Sequence, residues 1–289
     1  MRIVAPASTP SRDGVDAAVA VLEGLGLTVE LGDHVFDRLG YLAGSDEDRL
    51  ADFNAALRDE RVRAIIAARG GKGAYRIADK LDFAAMRSDP KLVVGFSELT
   101  VIHLAIWRHA RVPGIHGAAW GEAVFGRRAA QSFQNAVAAR EQTIVASSPE
   151  EATAALTTRG AAEGVLLGGN LDSIACAAGW ALPSLEGAIL LIEDVEKWLG
   201  HIDRHLTRLI NSGALQGVRA IAVGQFIGFK ESNGWSIVDV LRDRLGLLNV
   251  PILGGLPLGH GAQPVAVPVG VPAVLDCEAG TLTVSPATA

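Results

Sequence analysis

The chain reads as an α/β protein built on a parallel sheet with both faces covered. Two observations carry that reading. Short, continuously apolar runs, such as Val62 to Ala67 and Leu92 to Val94, alternate with segments whose apolar residues recur every three or four positions. Glycine-bearing turns also follow two consecutive strands, at Gly70 to Gly73 and Gly95 to Ser97. In parallel sheets, sites form beyond the carboxyl ends of the strands, so these turns are expected to meet at one sheet edge.

Composition sets the outer bounds. With 289 residues, two domains are expected; 49% hydrophobic and 20% charged residues suit a globular protein with a sizeable core. A net charge of -6 with no basic patch argues against a nucleic-acid partner. Cys176 and Cys277 have neither the number nor the spacing of a disulfide framework or a metal site, and read as reduced thiols of a cytoplasmic protein. The N-terminus runs straight into a strand, so no signal peptide is expected. No apolar run has the length of a membrane span.

In order, Ile3 to Ala5 is a first strand, stopped by Pro6. Ser8, Thr9 and Ser11 precede a helix from Gly14 to Leu25, with Val15, Ala18, Val19, Leu22 and Leu25 on one stripe. Leu27 to Leu31 is a second strand. Ser45 caps a helix whose first turn is acidic, which suits the helix dipole, and Leu50, Phe53 and Leu57 give it a buried face. After the strand Val62 to Ala67, the turn Arg69-Gly70-Gly71-Lys72-Gly73 leads into a helix containing Tyr75 and Ile77. That turn lacks the spacing of a dinucleotide fingerprint or a P-loop. Three glycines in four residues imply a close approach of backbone to something, such as a developing oxyanion.

Leu92 to Val94 is the next strand, and Leu99 to Trp107 the next helix. Ser97 stands between them, where a strand-to-helix turn would lift its hydroxyl above the sheet edge, near the first N–H groups of the helix. That is the place of a nucleophile; it is equally the place of a helix cap. Arg127 to Ala139 follows as a helical pattern. Gln142 to Gly164 carries no strong strand and reads as a crossing, giving domains at 1–145 and 164–289 joined by a linker at 146–163. The second unit starts at Val165. It holds strands at Ala188 to Ile192, Ile221 to Val223 and Ile252 to Leu253, helices at His201 to Asn211 and Ser236 to Leu245, and strand-like segments from Val265 to Val284.

A serine nucleophile needs a base. Among seven histidines, His34 and His109 lie in connecting segments and His103 on an apolar helix. His116 ends a strand and stays a second choice. His201 and His205, with Asp203 between them, have the spacing of two metal ligands but no accompanying motif or third ligand. His260 has glycine on both sides in Gly259-His260-Gly261, which exposes the ring, and is the preferred base. For the acid that orients it, Glu193 and Asp194 end one strand. Alternation puts them on opposite faces, one toward the site and the other toward solvent or the next helix; chain logic does not choose between them.

Taken together, these residues resemble the LD-carboxypeptidase family of serine peptidases, which includes the microcin C immunity protein. The likeness runs nearly end to end. It spans Ile3-Val4-Ala5-Pro6-Ala7-Ser8, Tyr41 to Arg49, Arg69-Gly70-Gly71-x-Gly73 and Gly95-Phe96-Ser97-Glu98-Leu99-Thr100. It continues through Gly168-Gly169-Asn170-Leu171, Ile192-Glu193-Asp194-Val195, Ile202-Asp203-Arg204 and Leu258-Gly259-His260. Each motif is weak alone; their order and spacing are specific.

The resemblance implies a flavodoxin-like parallel-sheet N-terminal domain and a smaller β-rich α/β C-terminal domain, with the site at their junction. It implies Ser97 as nucleophile, His260 as general base and Glu193, rather than Asp194, as orienting acid. It implies a homodimer, no metal and no cofactor. The substrate it implies is a murein-type tetrapeptide of peptidoglycan recycling, cut at an amide between an L-centre and a D-amino acid; the immunity branch implies a peptidyl or aminoacyl nucleotide instead. The family usually has Tyr where this chain has Lys72, and Asp where it has Glu98.

The expected mechanism is acyl transfer to Ser97 and hydrolysis of the acyl-enzyme. The N–H of Glu98 and one from Gly71 or its neighbour are expected to hold the oxyanion. Arg69 either binds a substrate carboxylate or makes a surface ion pair. Lys72 either faces an anionic group of the substrate or points to water.

Overall fold

The computed structural model of the chain describes residues 1–117, 131–137 and 141–287. Its first sheet contains β1 (Arg2–Val4), β2 (Glu30–Leu31), β3 (Ala64–Ala67), β4 (Leu92–Gly95) and β5 (Gly114–His116), in the order β2-β1-β3-β4-β5, all parallel. This is the flavodoxin-like strand order. Helices α1 (Arg12–Gly24), α2 (Asp46–Arg58), α3 (Phe83–Ser88) and α4 (Thr100–Ala110) belong to this part of the chain. Ser11 and Ser45 cap α1 and α2 by accepting the N–H groups of Gly14 and Asp48. Helix α5 includes 131–137; the rest of the helical pattern expected from Arg127 to Ala139 lies outside the described residues.

Two expectations fail here for local reasons. Tyr75 and Ile77 do not sit in an α-helix. Residues Ala74–Arg76 and Ala78–Lys80 form two short 3-10 turns, each too brief to use the apolar spacing. The segment from 142 to 164 does contain strands: β6 (Thr143–Ala146) and the start of β7 (Ala161–Asn170). Both were hidden because they lie outside the buried parallel ladder. β6 is an edge strand with only Val145 buried, and the first residues of β7 face an antiparallel neighbour and carry Ala, Glu and Gly.

The second sheet runs β10-β9-β8-β7-β12-β13-β6. Its parallel half comprises β7, β8 (Ala188–Val195), β9 (Ala220–Ile227) and β10 (Ile252–Leu253). Its antiparallel half comprises β12 (Val271–Asp276), β13 (Thr281–Val284) and β6. Helices α6 (Leu171–Ala177), α7 (Leu199–Asn211) and α8 (Ile237–Leu245) follow β7, β8 and β9. β8 is buried on both faces, whereas β12 alternates buried and exposed, as one-sided antiparallel strands do.

The two sheets share one core. Val101, Ile102 and Leu104 of α4 belong to the same apolar cluster as Leu171 and Ile174 of α6 and Ile202 and Leu206 of α7. A late strand, β11 (Val267–Val269), also returns to the first sheet and pairs antiparallel with β5. Among the described residues no helix is long and apolar enough to cross a membrane.

Candidate active site

β4 ends at Gly95, and a single 3-10 turn, Ser97–Leu99, links it to α4. Ser97 holds φ at 61°, a left-handed value that costs an L-residue energy and persists only where the surroundings impose it. Its side chain caps neither the turn nor α4, which removes the cap reading. The glycine turn 70–73 comes to the same place, as expected: a Cβ on Gly70 would stand 3.0 Å from Cβ of Ser97. Backbone therefore packs directly on the serine there, with little room for a side chain.

Two side chains hold that turn. Ser8 Oγ accepts the Lys72 N–H at 3.1 Å, and Glu98 Oε1 accepts the Gly73 N–H at 3.1 Å. Glu98 is 4% exposed, and burial pushes its carboxyl up, against the charge of Lys72 and the N–H groups of Gly73 and Tyr75. The amides of Gly71 and Glu98 have no hydrogen-bond partner among the described residues. Those are the two donors the sequence nominates for an oxyanion.

His260 and Glu193 meet from separate segments. Nδ1 of His260 lies 2.6 Å from Oε2 of Glu193, and the carboxylate as acceptor places the ring proton on Nδ1, leaving Nε2 free to take another. A Cβ on Gly259 would stand 2.7 Å from the same carboxylate oxygen, and Gly259 has φ 127°, so only glycine permits this approach. Gln225 fixes the loop: its Oε1 accepts the Gly261 N–H at 2.7 Å, and its backbone N–H donates to the Leu258 carbonyl. The Phe96 ring, next to Ser97, packs on the His260 ring at 4.9 Å between centroids. Burial pushes the Glu193 carboxyl up, while His260 draws it down. For His260 burial pulls downward, but the bond and charge of Glu193, with the charge of Asp194, outweigh it and hold the imidazole above its ordinary range.

Glu193, and not Asp194, is the carboxylate that meets His260. Pairing of β8 with β9 shifts register here: the two β8 steps from Ile192 to Asp194 face three on β9, from Val223 to Phe226, so the extra residue lies on β9 and β8 keeps its alternation. Both carboxylates end fully buried, and Asp194 faces neither solvent nor the next helix. It accepts from Asn170 Nδ2 at 3.2 Å and from the Asp172 N–H in the first turn of α6, and Lys197 Nζ stands 3.6 Å away.

The other nominated residues divide. Arg69 makes no ion pair among the described residues; its Nη1 donates to the Thr9 carbonyl at 3.3 Å. Lys72 does not point to open water but pairs with Asp172 at 2.6 Å. Asp172 also meets Lys197 at 3.3 Å and His205 at 3.2 Å. The bond from His205 is the foremost cause that holds its carboxyl far below the usual range. His205 thus turns to Asp172 while Asp203 turns to Thr207, so the two do not converge on one ion. His34 pairs with Asp37 and His109 stacks on Phe83. His103 and His116 are buried, and burial pushes them down to about 4 and about 3. Asn170, Asp172, Lys197 and Gln225 went unnoticed as site neighbours because their roles depend on partners far away in sequence. The one available signal was Asn170 in the Gly168-Gly169-Asn170 run.

Residues 1–117 match the model of the LD-carboxypeptidase N-terminal domain, and residues 163–275 match that of the LD-carboxypeptidase C-terminal domain. The chain belongs to the LD-carboxypeptidase family. It is accordingly a peptidase. It is 32% identical to the murein tetrapeptide carboxypeptidase of Pseudomonas aeruginosa, over 95% of this chain and 92% of that one. The crystal structure of muramoyltetrapeptide carboxypeptidase from Oxalobacter formigenes superposes with a TM-score of 0.85 at 30% identity, covering 98% of each chain. The fold is also shared with the microcin C7 self immunity protein MccF, at a TM-score of 0.85 and 21% identity over 98% of this chain and 95% of that one. That structure is a complex with aspartyl sulfamoyl adenosine.

Proposed function

We propose that this carboxypeptidase cleaves the amide between an L-centre and a terminal D-amino acid of a murein-type tetrapeptide, with Ser97 as nucleophile, His260 as base and Glu193 as orienting acid. The observation that carries this reading is the 2.6 Å pairing of the buried Glu193 carboxylate with His260 Nδ1, on a ring packed against the neighbour of Ser97. Nε2 of His260 takes the Ser97 proton as Oγ attacks the carbonyl carbon. Glu193 keeps the ring in the useful tautomer and stabilises the imidazolium. The N–H groups of Gly71 and Glu98 hold the oxyanion, and the imidazolium returns its proton to the departing D-amino acid nitrogen. Water then hydrolyses the acyl-Ser97 ester with His260 again as base. The names of the relatives from Pseudomonas aeruginosa and Oxalobacter formigenes support the substrate class.

Release of the terminal D-amino acid from a murein tetrapeptide, followed by mass spectrometry, tests the reading, with an aminoacyl sulfamoyl adenosine as the parallel substrate. Ser97→Ala is expected to lower turnover by roughly 10⁴-fold or more while the folded protein keeps its unfolding midpoint. Cleavage of the nucleotide conjugate alone would replace the substrate assignment, and a Ser97→Ala protein that retains most of its rate would remove the nucleophile.

A further inference from the structure

Beyond Glu193 the chain leaves β8 and places Trp198 at the start of α7 with 82% of its surface exposed. The His201 ring lies nearly parallel to the indole, 12° between planes and 6.2 Å between centroids. One face is thereby backed and the other left open. Beside it is a cavity of about 460 Å³, lined on one side by Lys197 and Trp198 and on the other by Gly228, Lys230, Glu231 and Ser232. Ser232 and Trp235 exchange backbone hydrogen bonds at the tip of that second wall, and Trp235 is itself half exposed. An indole is a large apolar surface to leave in water, and exposed aromatic surface rimmed by polar groups marks binding grooves.

Through Lys197 the cavity adjoins the charged network beside Glu193. Lys197, adjacent to Trp198, reaches Asp172 and Asp194 at 3.3 and 3.6 Å. Its charge also acts on the His260 ring. The lining is mixed: beside the apolar indole and Leu199 it offers two ammonium groups, two carboxylates including Glu196, and a hydroxyl. It suits a ring that is apolar on its faces and polar around its rim. A pyranose has that form. Its axial C–H bonds present positive dipoles to the negative face of the indole, and its hydroxyls and acylamino group meet charged and hydroxyl side chains at the edge. Three extended peptide residues span roughly 10 Å, so a sugar attached at the far end of a short peptide lies outside the catalytic cleft but within reach of its rim.

We propose that the Trp198 cavity is a sugar subsite, which binds the pyranose of a muramoyl-type peptide while the peptide's other end is cut at Ser97. This rests on the murein-peptide reading above and adds to it a preference for the sugar-linked form.

The test compares wild type and Trp198→Ala on two substrates, a free tetrapeptide and the same peptide carrying N-acetylmuramic acid, by the rate of D-amino acid release. Wild type is expected to favour the sugar-linked substrate by about tenfold in kcat/KM, the size of one good aromatic contact. Trp198→Ala should remove that advantage and leave the free peptide within twofold. An unchanged ratio, or an equal loss on both substrates, overturns the subsite without touching the peptidase reading. If wild type cuts neither substrate, the peptidase reading fails separately. The subsite is then decided by titrating the protein with N-acetylmuramic acid and following the indole N–H resonance that Trp198→Ala deletes. A saturating shift supports the subsite. No shift, or a shift with adenosine monophosphate and none with the sugar, overturns it.

Discussion

Ser97 and Glu193 both stand where a parallel strand ends, yet they are held by opposite means. Ser97 is placed by backbone. A glycine turn packs on it, its own φ is 61°, and its side chain makes no cap. Glu193 is placed by a side-chain bond across 67 residues, in a fully buried position on a strand covered on both faces. The difference follows from the chemistry asked of each. A nucleophile has to project toward substrate, and stabilising a developing oxyanion calls for free donors, which the N–H groups of Gly71 and Glu98, unpartnered among the described residues, offer here. A carboxylate that tunes a histidine works best out of water, where its field is least screened.

The largest expected effect separates Glu193 from its neighbour. Glu193→Gln keeps the shape of the side chain but removes the charge that stabilises imidazolium. A fall of about 10⁴-fold in kcat is expected, with the unfolding midpoint near that of wild type. Asp194→Asn should instead lower stability by about 1–3 kcal/mol in urea unfolding, because Asp194 accepts from Asn170, the first turn of α6 and Lys197. If the two variants lose activity equally and stability not at all, both carboxylates serve the histidine and the contrast collapses.

Glu98 tests the backbone side. Removing one oxyanion donor typically costs about 10²–10³-fold; Glu98→Ala only loosens the turn that carries one, so about a tenfold to hundredfold loss in kcat with little change in KM is expected. Glu98→Gln, which can still accept the Gly73 N–H, should recover most of it. Equal loss in both variants would assign the effect to charge rather than to the position of the turn.

The pH profile comes next. Activity needs neutral His260, so kcat/KM falls as pH drops through its pKa. With that pKa held above the ordinary histidine value of about 6.5, the acid limb is expected above it. Lys197 opposes the rise, so Lys197→Met should carry the limb to still higher pH. A limb at or below the ordinary value would mean that burial outweighs Glu193.

The smallest effect belongs to Lys72. Its ammonium is already paired with Asp172, which keeps Lys197 and His205 if Lys72 is lost. For a half-exposed pair, Lys72→Tyr should change stability by less than about 1 kcal/mol. It should shift kcat/KM between anionic and neutral substrates by no more than about threefold. A tenfold shift would show that substrate displaces Asp172 from the lysine.

The amino-acid order by itself determined the parallel sheet with helices interleaved, the strand-to-helix turn around Ser97, and the meeting of that turn with Gly70 to Gly73. Each depends on neighbours within a few positions: continuous apolar runs, cap residues and glycines. His260 stood out for the same local reason, its flanking glycines. Tertiary structure alone decided the rest. Glu193 and Asp194 are both buried because β8 is covered on both faces, and periodicity along β8 does not say which of them meets His260, 67 positions away. β6 and the outer half of β7 carry weak patterns because antiparallel edge strands need bury only one side. The partners of Lys72, Asp172 and Gln225 lie up to 100 residues away, and Coulomb and hydrogen-bond energies act through space, not along the chain.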